Sequence, residues 1–245
     1  ALWLDTLPFH KTYTAERAAM RNLIEGYAPT TTATRRNPYR EWIGALIRGD
    51  FWGYVNPGDP TRAAELVTKD ARLSHVGNGI LGAQWSAGLL AACLAVGSVH
   101  HALDFARALV PTTTRLGEAL AYVDRWYAEG LSFEAALSRV RRQFGAYNPV
   151  HTIDNAAVIA AALRWGNGDF GRSITLCVRS GWDTDSNGAT VGSAVGALLG
   201  AKALPSHWID PLEDRVRSAV FGHAENRISD LAARTVRIAD RVAGR

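Results

Sequence analysis

The chain has 245 residues, 47% of them apolar and 20% charged, with a formal net charge of +4. This length and apolar fraction support a sizeable core. The basic residues are mostly single, with Arg35-Arg36 and Arg139-Arg141-Arg142 the only tight groups, so the mild basicity reads as a solvated face and not as a nucleic-acid stripe.

No Pro/Ser/Gly-rich linker or charge block divides the sequence, so residues 1–245 read as one domain. The chain opens Ala1-Leu2-Trp3 and its only methionine is Met20, which predicts a processed or truncated start. Trp3, Leu4, Leu7 and Phe9 are a large apolar load for a free terminus.

Helix signals follow in chain order. Thr14 is placed to cap a helix to Tyr27. Asp59-Pro60 reads as N-cap and first residue of a helix through Leu73. Asn78 begins one running from Gly79 to Val96. Its apolar stretch holds Gln84, Trp85 and Ser86 and is short for a membrane span, so it is expected to be a buried helix. Ser98 starts the next, which stops before Pro111. One of Thr112 to Thr114 caps a helix ending near Gly130, and Ser132 caps another ending near Gly145. Helices are also predicted over His151–Trp165, Asp169–Arg179, Asn187–Lys202, Pro211–Phe221 and Ser229–Val242. No run of alternating β-branched residues is present, and no repeat of solenoid length. The predicted class is all-α, with short connections.

Chemistry concentrates in Gly181-Trp182-Asp183-Thr184-Asp185-Ser186-Asn187-Gly188. Two carboxylates, a hydroxyl and an amide lie between two apolar segments, with no Lys or Arg among them. Such oxygens suit Mg²⁺, Ca²⁺ or Mn²⁺ and not zinc. The other reading is an Asx-turn and helix cap, with Ser186 at the N-cap.

Three further segments stand out. Residues 34–53 are rich in Gly, aromatics and Arg, suited to a phosphate and an aromatic base, or to a packed loop with Arg–Glu pairs. In Ser74-His75-Val76-Gly77-Asn78-Gly79, His75 lies beside two glycines at a helix start and is expected to be exposed. It is either a ligand donor or a structural hydrogen-bonder. His151 and Asn155 share a helix face, either near the acidic turn or as a cap and a surface pair. His100-His101 lacks a nearby carboxylate at ligand spacing and reads as structural. Cys93 and Cys177 sit in apolar segments and read as buried free thiols, which with the lack of a signal peptide predicts a cytoplasmic protein. No G-x-S-x-G, Walker or C-x-x-C motif occurs.

The run from Gly181 through Gly192, Gly196 and Gly200 to Leu204-Pro205-Ser206-His207-Trp208 resembles the ADP-ribosylglycohydrolase family. There a D-x-D-[ST] turn opens a glycine-spaced helix ending in Pro-x-x-Trp. The resemblance implies an orthogonal multi-helix bundle. It implies a hydrolase with a dinuclear Mg²⁺ or Mn²⁺ site, cleaving an N- or O-glycosidic bond of ADP-ribose by attack of water. Asp183 and Asp185 are then the catalytic ligands, with Ser186 a third metal ligand. The family's ADP-ribose loop corresponds to Glu41, Trp42, Gly44 and Arg48, with Ile47-Arg48 in place of Met-Arg. Its Thr-His loop corresponds to Ser74-His75, with Asn78 just beyond. Family members also carry an upstream section with an acidic cluster for the same two metals. No adjacent Asp-Asp pair occurs here, so an N-terminal segment or a second chain is expected to complete the site. The rival expectation is a catalytically degenerate module that binds ADP-ribose or protein.

Overall fold

The structure is a computed structural model that describes residues 2–244. In chain order the helices are α1 (Leu2–Thr6), α2 (Thr14–Ile24), α3 (Gly44–Ile47), α4 (Asp50–Tyr54), α5 (Pro60–Ala71), α6 (Asn78–Cys93), α7 (Val99–Ala108), α8 (Arg115–Ala128), α9 (Phe133–Phe144), α10 (Thr152–Gly166), α11 (Phe170–Arg179), α12 (Thr184–Leu199), α13 (Ser206–Ile209) and α14 (Ile228–Val242). Two three-residue strands, β1 (Arg215–Arg217) and β2 (Glu225–Arg227), form an antiparallel hairpin before α14.

Local chemistry explains five of the helix starts. Asp59, Ser98, Thr114, Ser132 and Asp169 each cap a helix, their side-chain oxygens accepting from the N–H of Arg62, His100, Gly117, Ala135 and Arg172. Each such cap contributes about 1 kcal/mol to its helix.

The two central helices are α6 and α10, whose residues are apolar or small nearly all round and almost entirely buried. A helix without a polar face belongs inside a bundle. Around α6 pack α3, α4, α5, α7 and α12, and around α10 pack α8, α9, α11 and α12. One glycine decides how closely they meet. A Cβ at Gly82 of α6 would lie 2.4 Å from Cγ2 of Thr152, so only glycine lets α6 press against the start of α10.

The expected helix over Pro211–Phe221 is not formed, and this is a correction. Leu212, Val216 and Val220 fall at helical spacing, but among the described residues nothing packs over them and the residues of the segment are nearly all exposed. Glu213 and Asp214 take left-handed backbone angles, as does Gly222, and the hairpin pairs Val216 with Asn226. Asp214 then accepts from the Ser229 N–H at 2.8 Å and the Ser229 hydroxyl at 2.6 Å. It thus serves α14 as a cap from a distant point in the sequence. Among the described residues no helix is long and apolar enough to cross a membrane.

Candidate metal and substrate site

The acidic turn joins α11 to α12. Gly181 (φ +89°) and Trp182 (φ +62°) are both left-handed. For Gly181 this is free of strain, whereas a side chain in that region costs roughly 1–2 kcal/mol. Asp183 then occupies the N-cap position of α12, with Asp185 and Ser186 inside the first turn. Ser186 is therefore not the N-cap that the sequence suggested, because the left-handed pair turns the chain into the helix earlier. Asp183 and Ser186 are half-buried and Asp185 is exposed.

Asn155 anchors this turn. Its Oδ1 accepts from the Asp183 backbone N–H at 3.1 Å and from Nδ2 of Asn187 at 2.7 Å. Its own Nδ2 donates to the carbonyls of His151 at 2.7 Å and Pro149 at 2.9 Å. Asn155 is completely buried, so its pairing with His151 is not a surface contact. His151 caps α10, its Nδ1 accepting from the Ile153 N–H. Next to it Asp154 is also completely buried, and its Oδ2 makes no hydrogen bond. Burial pushes its carboxyl up to about 7, against the bonds that its Oδ1 accepts from Asn155.

The donor set fits a hard cation on chemical grounds. Burial raises the Asp183 carboxyl above its usual range, the neighbouring Asp185 adds to this, and the Ser186 hydroxyl and amide act against it. Among the described residues, the groups that act most on the Asp183 carboxyl include no cationic side chain. Arg141 comes near, with its guanidinium 5.6 Å from the Trp182 ring, but it donates to the Ser180 carbonyl. Among the described residues no three His, Cys, Asp or Glu side chains cluster as a metal cage. The turn thus offers part of a coordination sphere.

The helix itself is fixed from the other side. Ser193 of α12 donates to Oδ2 of Asp50 at 2.6 Å. Burial pushes the Asp50 carboxyl up to about 6, with the Ser193 and Tyr54 hydroxyls pulling it back.

Residues 41–43 run alongside the entry to α10. Trp42 and His151 form an isolated antiparallel bridge. The Thr152 N–H donates to the Glu41 carbonyl at 3.1 Å, and the Ile43 N–H to the Val150 carbonyl at 3.0 Å. The Thr152 hydroxyl donates to the Trp42 carbonyl at 2.8 Å. The first turn of α10 therefore holds Glu41 and Trp42 on one side and Asp183 on the other.

Glu41 is itself a junction. Its Oε1 accepts from the backbone and side-chain N–H groups of Asn78, at 2.8 and 2.9 Å, and Oε2 pairs with Arg115. Burial works to raise this carboxyl, but the Asn78 bonds and Arg115 outweigh it and hold it below the usual range. Asn78 Oδ1 accepts from the Leu116 N–H at 3.1 Å. Gly77 (φ +50°) is required here, since a Cβ would sit 2.5 Å from Oε1 of Glu41. An aromatic group surrounds the junction. Tyr147 stacks on His151 at 4.6 Å, the Arg115 guanidinium lies 5.9 Å from Tyr147, and Tyr39 meets Trp42 edge-on at 4.7 Å.

Gly44, Arg48 and His75 lie behind this surface. Arg48 donates to Oδ2 of Asp70 at 2.7 Å, to the Asp70 carbonyl at 3.3 Å, to Oγ of Ser74 at 2.9 Å and to Glu16. Arg–Glu pairing was one of the two readings of this segment, and the pairing is present. A Cβ at Gly44 would lie 2.2 Å from the Glu16 carboxylate, so Gly44 makes room for that ion pair. His75 is completely buried, contrary to the expectation of exposure, because the Ser74–His75 segment is drawn in by Arg48. The Ser74 hydroxyl bonds His75 Nδ1 at 2.8 Å. Burial, and then Arg48, push its imidazole down to about 3.

Sequence reasoning missed Arg115, Tyr147, Asp154 and Asp50. Tyr147 stands four residues before His151 and Asp154 directly before Asn155, which was a usable signal. Arg115 and Asp50 have none, since their partners are far away in the chain.

A bundle built on two buried helices, with an acidic helix-opening turn beside a charged aromatic loop, agrees with the family expectation. The family model described as ADP-ribosylglycohydrolase matches residues 1–243, and the chain belongs to the ADP-ribosylglycohydrolase family. This is a hydrolytic family that acts on ADP-ribosylated substrates. No curated protein matches the chain.

Proposed function

We propose that the chain hydrolyses an N- or O-glycosidic bond of ADP-ribose, with Mg²⁺ or Mn²⁺ held by Asp183, Asp185 and Ser186. The observation that carries this reading is the Asp183–Asp185 pair, two neighbouring carboxylates beside the Ser186 hydroxyl at the start of α12. Bound divalent cations polarise a ribose hydroxyl and supply water of lowered pKa. Asp183, fixed through its own N–H by Asn155, offers a carboxylate on a rigid support. Asp185 offers a second from the solvent side, and Ser186 a neutral oxygen. Two cations need more negative charge than this turn supplies. The reading therefore includes further carboxylates from outside the described residues, on an N-terminal segment or a second chain.

On the substrate side, Glu41, Trp42, Arg115 and Tyr147 face the ADP-ribose. Aromatic rings stack on a base or ribose, and a guanidinium bonds phosphate in two places. Gly44, Arg48, His75 and Asn78 hold that surface in place from behind. The free thiols of Cys93 and Cys177 fit the reducing conditions of a cytoplasmic location.

The test is release of ADP-ribose from ADP-ribosylated acceptors with Mg²⁺, with Mn²⁺ and with chelator, beside calorimetric titration of Mn²⁺. Release that is unchanged by chelator, or titration heats that are the same in wild type and Asp183→Ala, would overturn the metal assignment.

A further inference from the structure

A cavity beside α2 carries charge of a single sign. It encloses about 450 Å³, and its lining includes Phe9, Thr14, Arg17, Arg21, Arg36 and Tyr39 but, among the described residues, no Asp or Glu. Arg17 and Arg21 stand four apart on α2, a spacing at which like charges repel. Arg36 adds a third guanidinium from the loop that follows. The first two are fixed in place. Arg17 Nε donates to the Thr12 carbonyl at 2.6 Å and Nη2 to the His10 carbonyl at 3.2 Å, and its guanidinium lies 5.2 Å from the Tyr13 ring and 5.9 Å from the Phe9 ring. Arg21 Nη2 donates to the Arg36 carbonyl at 3.2 Å and to Oδ1 of Asn22 at 3.3 Å, with the exposed Glu25 carboxylate 3.9 Å from its Nε. The backbone around Arg36 is pinned on both sides. The buried Asn22 donates to the Arg35 carbonyl at 2.8 Å, and the buried Asn37 to the carbonyls of Ala33 and Ser74 at 3.0 and 2.9 Å. Thr14 (φ +42°) and Arg36 (φ +45°) both hold left-handed backbone angles, which residues with side chains keep only where their surroundings over-determine them. The Arg36 side chain is exposed and, among the described residues, in no ion pair.

We infer that this cavity binds a nucleoside phosphate, with the phosphate between Arg17, Arg21 and Arg36 and the base against Phe9 or Tyr39. Three guanidinium groups gathered without a carboxylate in the lining leave repulsion that a bound anion relieves. Their planar forks match phosphate oxygens two at a time, and the neighbouring rings offer faces on which a base stacks. The cavity is of the size that takes a small ligand. Arg17 and Arg21 are already ordered by their own hydrogen bonds, so little freedom is lost when the anion arrives. Tyr39 also meets Trp42 edge-on at 4.7 Å. The cavity therefore neighbours the surface assigned to ADP-ribose, yet Glu41, Trp42, Arg115 and Tyr147 are not in its lining. The inference stands whether or not that assignment holds.

The experiment titrates AMP, inorganic phosphate and adenosine by calorimetry, with metal absent. Because AMP is also a fragment of ADP-ribose, Arg115→Ala serves as the background in which the neighbouring surface is weakened. AMP should still bind there, and adding Arg36→Ala should lower its affinity about tenfold or more, with Arg36→Lys recovering part of the loss. Arg36→Ala removes an exposed side chain, so Tm should stay as in wild type and an unfolded variant is recognised at once. Inorganic phosphate should displace AMP while binding more weakly, adenosine should bind more weakly still, and raising the salt concentration should weaken AMP. AMP affinity that is equal with and without Arg36 would overturn the inference, as would the absence of AMP binding in the Arg115→Ala background. Adenosine binding as well as AMP would remove the phosphate from the assignment, and phosphate binding as well as AMP would remove the nucleoside. Failure of the ADP-ribose reading shows separately, as ADP-ribose affinity that Arg115→Ala leaves unchanged.

Discussion

Asn155 Oδ1 accepts the backbone N–H of Asp183 at 3.1 Å and thereby joins α10 to the turn that opens α12. The same oxygen takes Nδ2 of Asn187, whose own Oδ1 is buried without a partner. One amide side chain therefore satisfies a part-buried backbone donor and a buried side-chain donor.

Asn155→Ala should leave both donors unpaired. An orphaned buried donor costs about 1–3 kcal/mol, so the variant should lose roughly 2–4 kcal/mol in urea unfolding. Mn²⁺ affinity should fall at least tenfold. Asn155→Asp keeps the acceptor but places a carboxylate against the carbonyls of Pro149 and His151, so it should rescue neither property. A stability loss under 1 kcal/mol in Asn155→Ala would mean that the turn supports itself.

Asp185→Ala separates ligation from stability. Asp185 is exposed, and its proximity helps to raise the Asp183 carboxyl, after burial. Removing it relieves repulsion, so Tm without metal should hold or rise slightly while Mn²⁺ binding is lost. The measurements are calorimetric titration and thermal unfolding in chelator. Equal Mn²⁺ binding by variant and wild type would remove Asp185 from the ligand set.

Asp50 predicts a pH dependence of opposite sign to that of an ordinary ion-paired carboxylate. Its folded pKa is raised from 3.8 to about 6 by burial. The folded state then binds the proton more tightly than the unfolded chain, so stability falls as pH rises from about 4 to 6 and is flat above. The buried His75, with its pKa lowered to about 3 from 6.5, works the other way, and stability gains from it as pH rises over that window. The two are separated by subtraction. The stability of Asp50→Asn relative to wild type should increase from pH 4 to pH 6 and then stay constant, measured by urea unfolding at several pH values. A difference that does not change with pH would mean that the Asp50 carboxyl titrates as in water.

The sequence was legible where the cause of structure is local. A cap such as Ser132 or Asp169 is read from a hydroxyl or carboxylate three residues before the N–H it accepts from, and the all-α class follows from a series of such signals. The nearness of Asp183, Asp185 and Ser186 is local in the same way. The orientation of that turn is not, because it depends on Asn155, 28 residues upstream. The burial of His75 depends on Arg48, and the charge on Glu41 is balanced by Arg115, 74 residues away. The hairpin at β1 and β2 was missed because capable helix formers there have no core to pack against, so propensity alone does not decide.

Arg115 gives the last test, which concerns the substrate side. It pairs with Glu41 and lies beside Tyr147, and half of its side chain is exposed. An exposed ion pair contributes little to stability, so Arg115→Ala should change Tm only slightly. A guanidinium that bonds a pyrophosphate contributes much more to binding, and ADP-ribose affinity should fall roughly tenfold or more, about 1.4 kcal/mol or above. Hydrogen exchange adds the location. ADP-ribose should protect amides of residues 41–48 and of residues 74–78, because Glu41 accepts the Asn78 N–H and ligand contact at Glu41 steadies that bond. The protection should weaken in Arg115→Ala at matched ligand concentration. Protection confined to α14 and the β1–β2 hairpin, with Arg115→Ala binding as wild type does, would place the ADP-ribose elsewhere and leave the Glu41–Arg115 pair a purely structural link between α8 and the loop before α3.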